Sequence, residues 1–539
     1  MLLLTIPFVF FIALKSSAFV ASDNLGVYSG LSPLFYVSLI VLIGLVEWRV
    51  YSEEPGRYLN LLLLLVLQIL LLSVGFWVGG VGSSSSNVGS YLGYFGVVTY
   101  VTQHGLGSVI PLSAELGWWP SATSFHAILL LITGTDTSAF ATQVIIISRV
   151  AYGVFDALLV YVVARAFKPN NTYMPTLAVL LYVSGDYFVP AWFQDTGFAY
   201  TLFLLIAFYL VFMKKQRYMI SIVLFGAFVL SNFYASLILL GLIVVRYLLV
   251  RDSKHLLMYS TILLAWTIIG FPSIFGAPLA NYYLLNLLNF GFLSSKLIGA
   301  LTYVSPSHYF IAMSQIGLSV LFLGGGVASL LYVHLKRIAH SGLNSLMWYA
   351  LGLGFIGTLA APGFGPNPIE GLERAFLFLF PLLTVMIAYC GGTGRKFLIL
   401  GIIPMLLLPL TIITTYGGVT PTYASSKTFA AADFAQSHWA NNLAIGLEFP
   451  AASPTGGGAF FFTNGSLQLH YGTVYLNYSE ILKLTTGAGP PKIGSLSHFL
   501  MVDSEIYLGS SQTYSSFAKG VYGRYDIVFS NPDTQYYLI

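Results

Sequence analysis

The chain has 539 residues, 57% of them hydrophobic and only 8% charged, with a formal net charge of +4 and a single cysteine, Cys390. Soluble domains carry roughly 25% charged residues. This composition therefore excludes a soluble enzyme or a disordered chain, and the lone cysteine excludes a disulfide framework or a cysteine-ligated metal domain. Apolar runs of the length that crosses a bilayer, about 20 residues, recur up to residue 416. The predicted class is a polytopic α-helical membrane protein.

In chain order, spans are expected near 2–20, 32–48, 59–78, 139–166, 174–190, 196–213, 217–232, 233–250, 256–276, 307–333, 344–361, 373–392 and 396–416, which makes about 13. The first run, Leu2 to Val20, lacks the basic start of a secretion signal and is followed by an array of spans, so it reads as a retained span. The run 122–134 is too short to cross comfortably and is predicted as a short or re-entrant helix that dips in from the outer face.

Charge gives the orientation. Basic residues cluster at Arg49 and Arg57, at Arg165 and Lys168, at Lys214, Lys215 and Arg217, at Arg246, Arg251 and Lys254, at Lys336 and Arg337, and at Arg395 and Lys396. These clusters fall at every second turn, and cytoplasmic turns collect Lys and Arg. The N-terminus is therefore expected in the cytoplasm and everything after residue 417 outside, in the plasma membrane of the cell. The outer face before residue 417 then holds two cations, Lys296 and Arg374, among the carboxylates Asp23, Glu115, Asp136, Asp186, Asp195, Glu370 and Glu373.

The longest polar excursion is the outer loop 79–121, which leads into the short helix. It passes Ser83-Ser84-Ser85-Ser86-Asn87, Gln103-His104-Gly105 and Glu115-Leu116-Gly117-Trp118-Trp119-Pro120; His126 follows in the helix. Irregular backbone at membrane depth is tolerated where it is wet or covered by protein, so this loop is the natural place for a site. Within the span 139–166, Asp156 stands beside Tyr152 and Arg149. A charge inside the bilayer is a functional signal by default, and Arg149, seven residues earlier, is its expected partner.

Composition changes at residue 417. Short β-branched or alternating runs appear at Ala459–Phe462, Thr473–Leu476 and Tyr525–Phe529, separated by turn clusters such as Pro454-Thr455-Gly456-Gly457-Gly458. A helix is expected over Lys427–Ala440. Residues 1–416 are thus read as a transmembrane domain and 417–539 as a small extracytosolic α/β domain. The sequons Asn464-Gly465-Ser466 and Asn477-Tyr478-Ser479 suit an external face. No internal repeat is visible, which argues against an inverted-repeat transporter.

A span, a long outer loop and then Trp119-Pro120-Ser121-Ala122-Thr123-Ser124-Phe125-His126 leading into a short apolar helix resemble the opening of the GT-C superfamily of membrane glycosyltransferases. Glu373-Arg374-Ala375-Phe376-Leu377-Phe378-Leu379-Phe380-Pro381 is similar to that family's late E-R-x-x-x-F-x-x-P segment, and Ala430–Trp439 to the helix that opens its extracytosolic domain. The resemblance implies transfer of a sugar from a polyprenyl-phosphate carrier to a protein, glycan or lipid acceptor on the outer face, with membrane lipids as the surroundings and no nucleic acid. One departure stands out. Where the family presents an acid early in the first outer loop, Gly82–Ser90 has none, and the Trp-Trp-Asp-Tyr-Gly signature of oligosaccharyltransferases is absent. The alternative reading is therefore a catalytically silent relative that binds lipid-linked glycan or scaffolds an envelope complex.

Under the enzymatic reading Glu115 is the candidate base, since an attacking acceptor must lose a proton; its bland reading is a solvated loop acid. Asp23, directly after the first span, is the second candidate and equally a helix-end residue. Arg374 is the candidate clamp for the carrier phosphate, because a guanidinium forks onto phosphate oxygens; a salt bridge to Glu370 one turn away is the structural alternative. Lys296, His104 and His126 are weaker phosphate or acceptor contacts. No histidine pair has zinc-ligand spacing, so no metal site is predicted, and dependence on a divalent metal is left open.

Residues 417–539 hold five basic residues (Lys427, Lys483, Lys492, Lys519, Arg524) and seven acidic ones (Asp433, Glu448, Glu480, Asp503, Glu505, Asp526, Asp533), a net of −2. Protease added to intact cells is expected to digest this segment. Digestion only in inverted vesicles would reverse the orientation.

Overall fold

The computed structural model describes residues 10–17, 27–52, 57–79, 98, 101–102, 120–134, 137–186, 195–212, 218–275, 306–336, 348–350, 352–354, 368–391, 394–416, 444–446, 499–503, 526–530 and 534–538. Its main helices are α1 (Pro33–Tyr51), α2 (Arg57–Gly79), α3 (Pro120–Thr133), α4 (Thr137–Phe167), α5 (Tyr173–Gly185), α6 (Asp195–Phe212), α7 (Tyr218–Val229), α8 (Phe233–Val250), α9 (Ser253–Phe275), α10 (Pro306–Leu335), α11 (Pro368–Gly391) and α12 (Gly394–Tyr416). Apart from α3, each overlies a span expected from hydropathy; α3 is the expected short helix. Among the described residues four stretches are long and apolar enough to cross a membrane: Pro33–Tyr51, Leu59–Val78, Ile147–Phe167 and Met313–Leu335. The other apolar helices are shorter, so the count of about 13 spans remains an expectation from sequence. Large apolar side chains such as Leu131, Ile132, Met219, Leu257 and Leu335 cover the outside of the bundle, as suits a membrane protein.

The bundle is built round α5. Every residue from Met174 to Gly185 is buried, and α5 touches α1, α2, α4, α11 and α12. A helix apolar on all sides is stable only when enclosed. Close approach is bought by small residues: a Cβ at Gly185 would lie 2.7 Å from Phe380 Cζ and nearer still to the Phe322 ring. At α4, a Cβ on Gly153 would meet Leu72 and come within 3.1 Å of Gln68 Nε2, so the absence of a side chain there lets α2 sit against α4.

Local chemistry sets the helix ends. Asn232 caps α8, its side chain accepting a hydrogen bond from the Ala235 N–H at 3.0 Å. At the other end of α8, Arg251 takes the left-handed conformation (φ 57°) and permits a two-residue turn into α9. Asp252 in that turn ties four helices together. Its Oδ2 accepts from Arg246 Nε on α8 at 2.8 Å and lies 2.7 Å from His255 Nδ1 on α9. His255 Nε2 lies 3.0 Å from Ser221 Oγ on α7. That hydroxyl in turn donates to Tyr209 OH on α6 at 3.1 Å. Arg246 also donates to the Leu210 carbonyl and to Tyr349 OH.

Towards the C-terminus four strands, β1 (Ala444–Gly446), β2 (Phe499–Asp503), β3 (Asp526–Ser530) and β4 (Thr534–Leu538), form one mixed sheet in the order β1-β2-β4-β3. β1 pairs parallel with β2, and the other pairs are antiparallel. The register of β3 slips between Ile527 and Phe529. β3 covers the strand expected at Tyr525–Phe529. The expected strands at 459–462 and 473–476, the helix Lys427–Ala440 and both sequons lie outside the described residues.

Burial raises the Asp252 carboxyl, but the hydrogen bonds from Arg246 and His255 outweigh it and hold the group below the usual aspartate range. A carboxylate held below its unfolded value adds stability that is present above that value, about 3.9, and is lost as pH falls through the folded one. The melting temperature of the purified protein is expected to drop below about pH 4, and Asp252→Asn to lose that part of the acid sensitivity. Asp252→Ala, which removes the carboxylate partner of the half-buried Arg246, is expected to cost about 1–3 kcal/mol, read from thermal melts at neutral pH.

Candidate functional site

Two aspartates meet inside the bundle because of how three helices start and stop. α4 ends at Phe167 and α5 begins at Tyr173, joined by a short turn. At about 1.5 Å per residue, Asp156 on α4 stands about 16 Å from that turn. Asp186, which follows the last residue of α5, stands about 20 Å from it. Both therefore stand at similar heights in the bundle. α5 has 13 residues and halts there, the Asp186 N–H closing the helix onto the Tyr182 carbonyl. α6 runs parallel to α4: Asp156 meets Thr201, and further along Leu159 and Val163 share one cleft with Leu204 and Phe208.

The result is a buried polar cluster. Asp156 is fully enclosed, and its Oδ1 accepts a hydrogen bond from Thr201 Oγ1 at 2.8 Å. Its partner is thus Thr201, not the expected Arg149: an adjacent helix offers a hydroxyl at the same depth, whereas Arg149 lies two turns away along α4. Tyr182 and Tyr200, both with no exposed surface, adjoin each other and face Asp156 and Asp186. The Tyr182 ring lies 5.7 Å from Phe380 and the Tyr200 ring 5.9 Å from Phe378, so α11 walls the cluster. On the side of the 168–172 turn the surroundings become apolar, with a narrow cleft among Leu159, Val163, Leu204, Phe208, Tyr349 and Leu382.

On the opposite side the polar character continues. Ser148, Arg149, Tyr152 and Asp156 recur along one face of α4, at the three-and-four spacing of helical neighbours. His126 on α3 is fully buried, its Nε2 3.4 Å from Ser148 Oγ. Phe198 of α6 lies 5.7 Å from Phe125 and 6.3 Å from Tyr152, closing the seam from the side. The start of α3 is pinned by Ser121, whose hydroxyl donates to the Ala227 carbonyl and whose N–H donates to that of Leu230. A seam of buried polar groups therefore descends from α3, along α4, to the paired aspartates.

Of the candidate catalytic and carrier-binding residues, His126 is the one whose side chain is among the described residues, and it belongs to this seam, as do Arg149, Tyr152 and Asp156. Arg374 lies in the second turn of α11, with its side chain outside the described residues. Glu115, Asp23, Lys296 and His104 also lie outside them. The sequence reading missed Tyr182, Tyr200 and Thr201 and counted Asp186 among the carboxylates of the outer face. A signal was present: Tyr152-Gly153-Val154-Phe155-Asp156 and Tyr182-Val183-Ser184-Gly185-Asp186 repeat one Tyr-x-x-x-Asp spacing, which puts a phenol one helical turn before each carboxylate. Among the described residues no three His, Cys, Asp or Glu side chains gather as a metal-ligand group.

No family model and no curated protein sequence matches the chain. Solved structures do. The crystal structure of the Archaeoglobus fulgidus oligosaccharyltransferase in complex with zinc and sulfate matches with a TM-score of 0.51 at 12% identity, over 89% of this chain and 72% of that one. The apo form of the same enzyme gives 0.48 at 11% identity, over 94% and 74%. The first of these likenesses shows that the chain shares the fold of that structure.

Thr201→Val keeps the shape but removes the donor to a buried carboxylate, and is expected to destabilise the protein by about 2 kcal/mol. Thr201→Ser, which restores a hydroxyl, is expected to melt close to wild type. Equal melting temperatures for Thr201→Val and wild type would remove Thr201 as the partner of Asp156.

Proposed function

We propose that this protein is a membrane glycosyltransferase that moves a sugar from a polyprenyl-phosphate carrier to an acceptor on the outer face. The observation that carries the reading is the likeness in fold to an oligosaccharyltransferase over most of both chains. It is supported by the order of the sequence motifs, from Trp119-Pro120 into the short helix to Glu373-Arg374 early in α11. In this reading the N-terminus is cytoplasmic, the acceptor approaches over the outer loop 79–121, and 417–539 is an extracytosolic α/β domain that helps to hold the acceptor.

The division of labour follows from the chemistry. Arg374, with Lys296, His104 and His126 as further contacts, clamps the carrier phosphate; fixed positive charge at a departing phosphate lowers the barrier by stabilising the charge that develops there. Glu115 or Asp23 takes the proton of the attacking acceptor. The second reading, a silent relative that binds lipid-linked glycan, draws on one specific observation: Gly82–Ser90 contains no carboxylate.

The test is binding of a polyprenyl-phosphate sugar by purified wild type, Arg374→Lys, Arg374→Ala and Lys296→Ala, with melting temperatures measured alongside. Arg374→Ala loses a charge-assisted hydrogen bond worth about 1.5–3 kcal/mol and is expected to bind about tenfold more weakly or worse. Arg374→Lys, which keeps the charge and loses the fork, falls between the two. Lys296→Ala is the control for a second cation on the same face. Carrier binding by Arg374→Ala equal to wild type would falsify the clamp. Binding that survives in Glu115→Gln and Asp23→Asn while transfer is lost in either supports the enzyme over the silent relative.

A further inference from the structure

At the end of the bundle that carries the 168–172 turn, positive charge from separate elements meets at one helix junction. Lys168 follows α4. Its Nζ donates to the Tyr389 carbonyl of α11 at 3.0 Å and lies 4.0 Å from the centre of the Tyr389 ring. Lys396, in the first turn of α12, lies over the ring of Tyr332 on α10 at 5.2 Å. The two lysines flank one contact between α10 and α11. There the Cys390 thiol, next to Tyr389, donates to the carbonyl of Ser329, one turn before Tyr332, and both lysines act on that thiol electrostatically. Arg165, in the last turn of α4 and three residues before Lys168, adds a third cation.

Among the described residues none of the three is paired with a carboxylate. The described acids at this end are engaged elsewhere: Asp252 bonds Arg246 and His255, and Glu47 is buried against Gly401 of α12. Tyrosine faces hold the lysines in place without neutralising them, and an ammonium has three donors, so Lys168 keeps two beyond its bond to Tyr389. Orientation in the membrane asks for positive charge in these turns; it does not ask that charges from different turns converge.

Apolar surface adjoins the junction. From Lys396 along α12, Ile399, Ile402 and Leu406 are exposed at three-and-four spacing. On α10, which packs against α12, Val327 and Leu331 are exposed in the turns before Tyr332. We propose that this junction binds one anionic phospholipid, its phosphate held by Lys168 and Lys396 with Arg165 adding charge, and an acyl chain lying along Ile399, Ile402 and Leu406. Basic pockets between spans hold acidic headgroups in this way. A free anion would answer the lysines and leave the apolar stripe unused. The site stands independently of the glycosyl-transfer reading and uses none of the residues assigned to it.

A ligand that binds only the folded state raises the melting temperature as it saturates. The purified full-length protein is expected to melt several degrees higher in nanodiscs of phosphatidylglycerol than in nanodiscs of phosphatidylcholine. It is also expected to retain one phosphatidylglycerol per chain in native mass spectrometry from neutral detergent. Lys168→Gln/Lys396→Gln is expected to retain that lipid about tenfold more weakly or worse. Lys168 also ties the 168–172 turn to α11, so Lys396→Gln, a change at an exposed residue, carries the test should the double variant fail to fold; about fivefold weaker retention is expected of it. Lys254→Gln removes another lysine at this end that rests on a tyrosine, 5.5 Å from the Tyr218 ring, and is expected to retain the lipid as wild type does. The proposal falls if wild type retains no phosphatidylglycerol and melts alike in both lipids, or if Lys396→Gln retains it as wild type does. It falls equally if Lys254→Gln loses as much as Lys396→Gln, which would make the attraction a general property of the basic face, or if millimolar inorganic phosphate displaces the lipid, which would make the ligand a free anion.

Discussion

The enclosure of α5 is the constraint on which the rest of the bundle depends. A helix of 13 residues spans about 20 Å, too little for the hydrocarbon core, and its polar terminus at Asp186 needs company. The bundle supplies it from two parallel neighbours, α4 and α6, which bring Asp156, Tyr200 and Thr201 to the same depth. Because α5 stops at Gly185, the carboxylate of Asp186 stands at a helix end inside the bundle rather than along a helix side. The halt of one helix thus explains both the buried pair and its hydroxylated surroundings.

That arrangement divides the bundle by character. On the side of the 168–172 turn, apolar packing among α4, α6 and α11 continues down to a tightly bonded layer, where Asp252 joins Arg246 and His255 and, through Ser221, reaches Tyr209. On the other side, polar groups line α4 up to α3 and His126. The bonded layer ties four helices to one another, and the seam gathers buried polar groups from α3 and α4.

Hydropathy made the helices legible, because apolar runs of near 20 residues leave few alternatives, and the short α3 was readable for the same reason. It could not show that the run 174–190 would stop at Gly185, since the residues beyond it, Tyr187, Phe188, Val189, are as apolar as a continuing helix. Nor could it choose the partner of Asp156. Sequence distance along α4 favoured Arg149, while the true partner comes from a helix 45 positions later whose depth depends on tertiary packing. Small residues carried a quieter signal. Gly153 and Gly185 mark where neighbouring helices approach closest, but a glycine in an apolar run reads the same whether it faces lipid or a phenylalanine ring. Of the candidate site residues, His126 was placed in the seam; its bond to Ser148 joins two helices, and no local pattern announces that.

A last consequence concerns the order of assembly. α5 leaves the ribosome directly after α4, but two of the helices that sheathe it, α11 and α12, follow roughly two hundred residues later. Until they arrive, the face of α5 that will meet Phe322, Phe380 and Thr411 stands open to lipid or to a chaperone, with the carboxylate of Asp186 at its tip. The nascent bundle is therefore a hairpin of α4 and α5 awaiting closure. The final two helices act as its lock, and chains cut short before residue 368 retain a half-clad central helix that quality-control machinery can recognise.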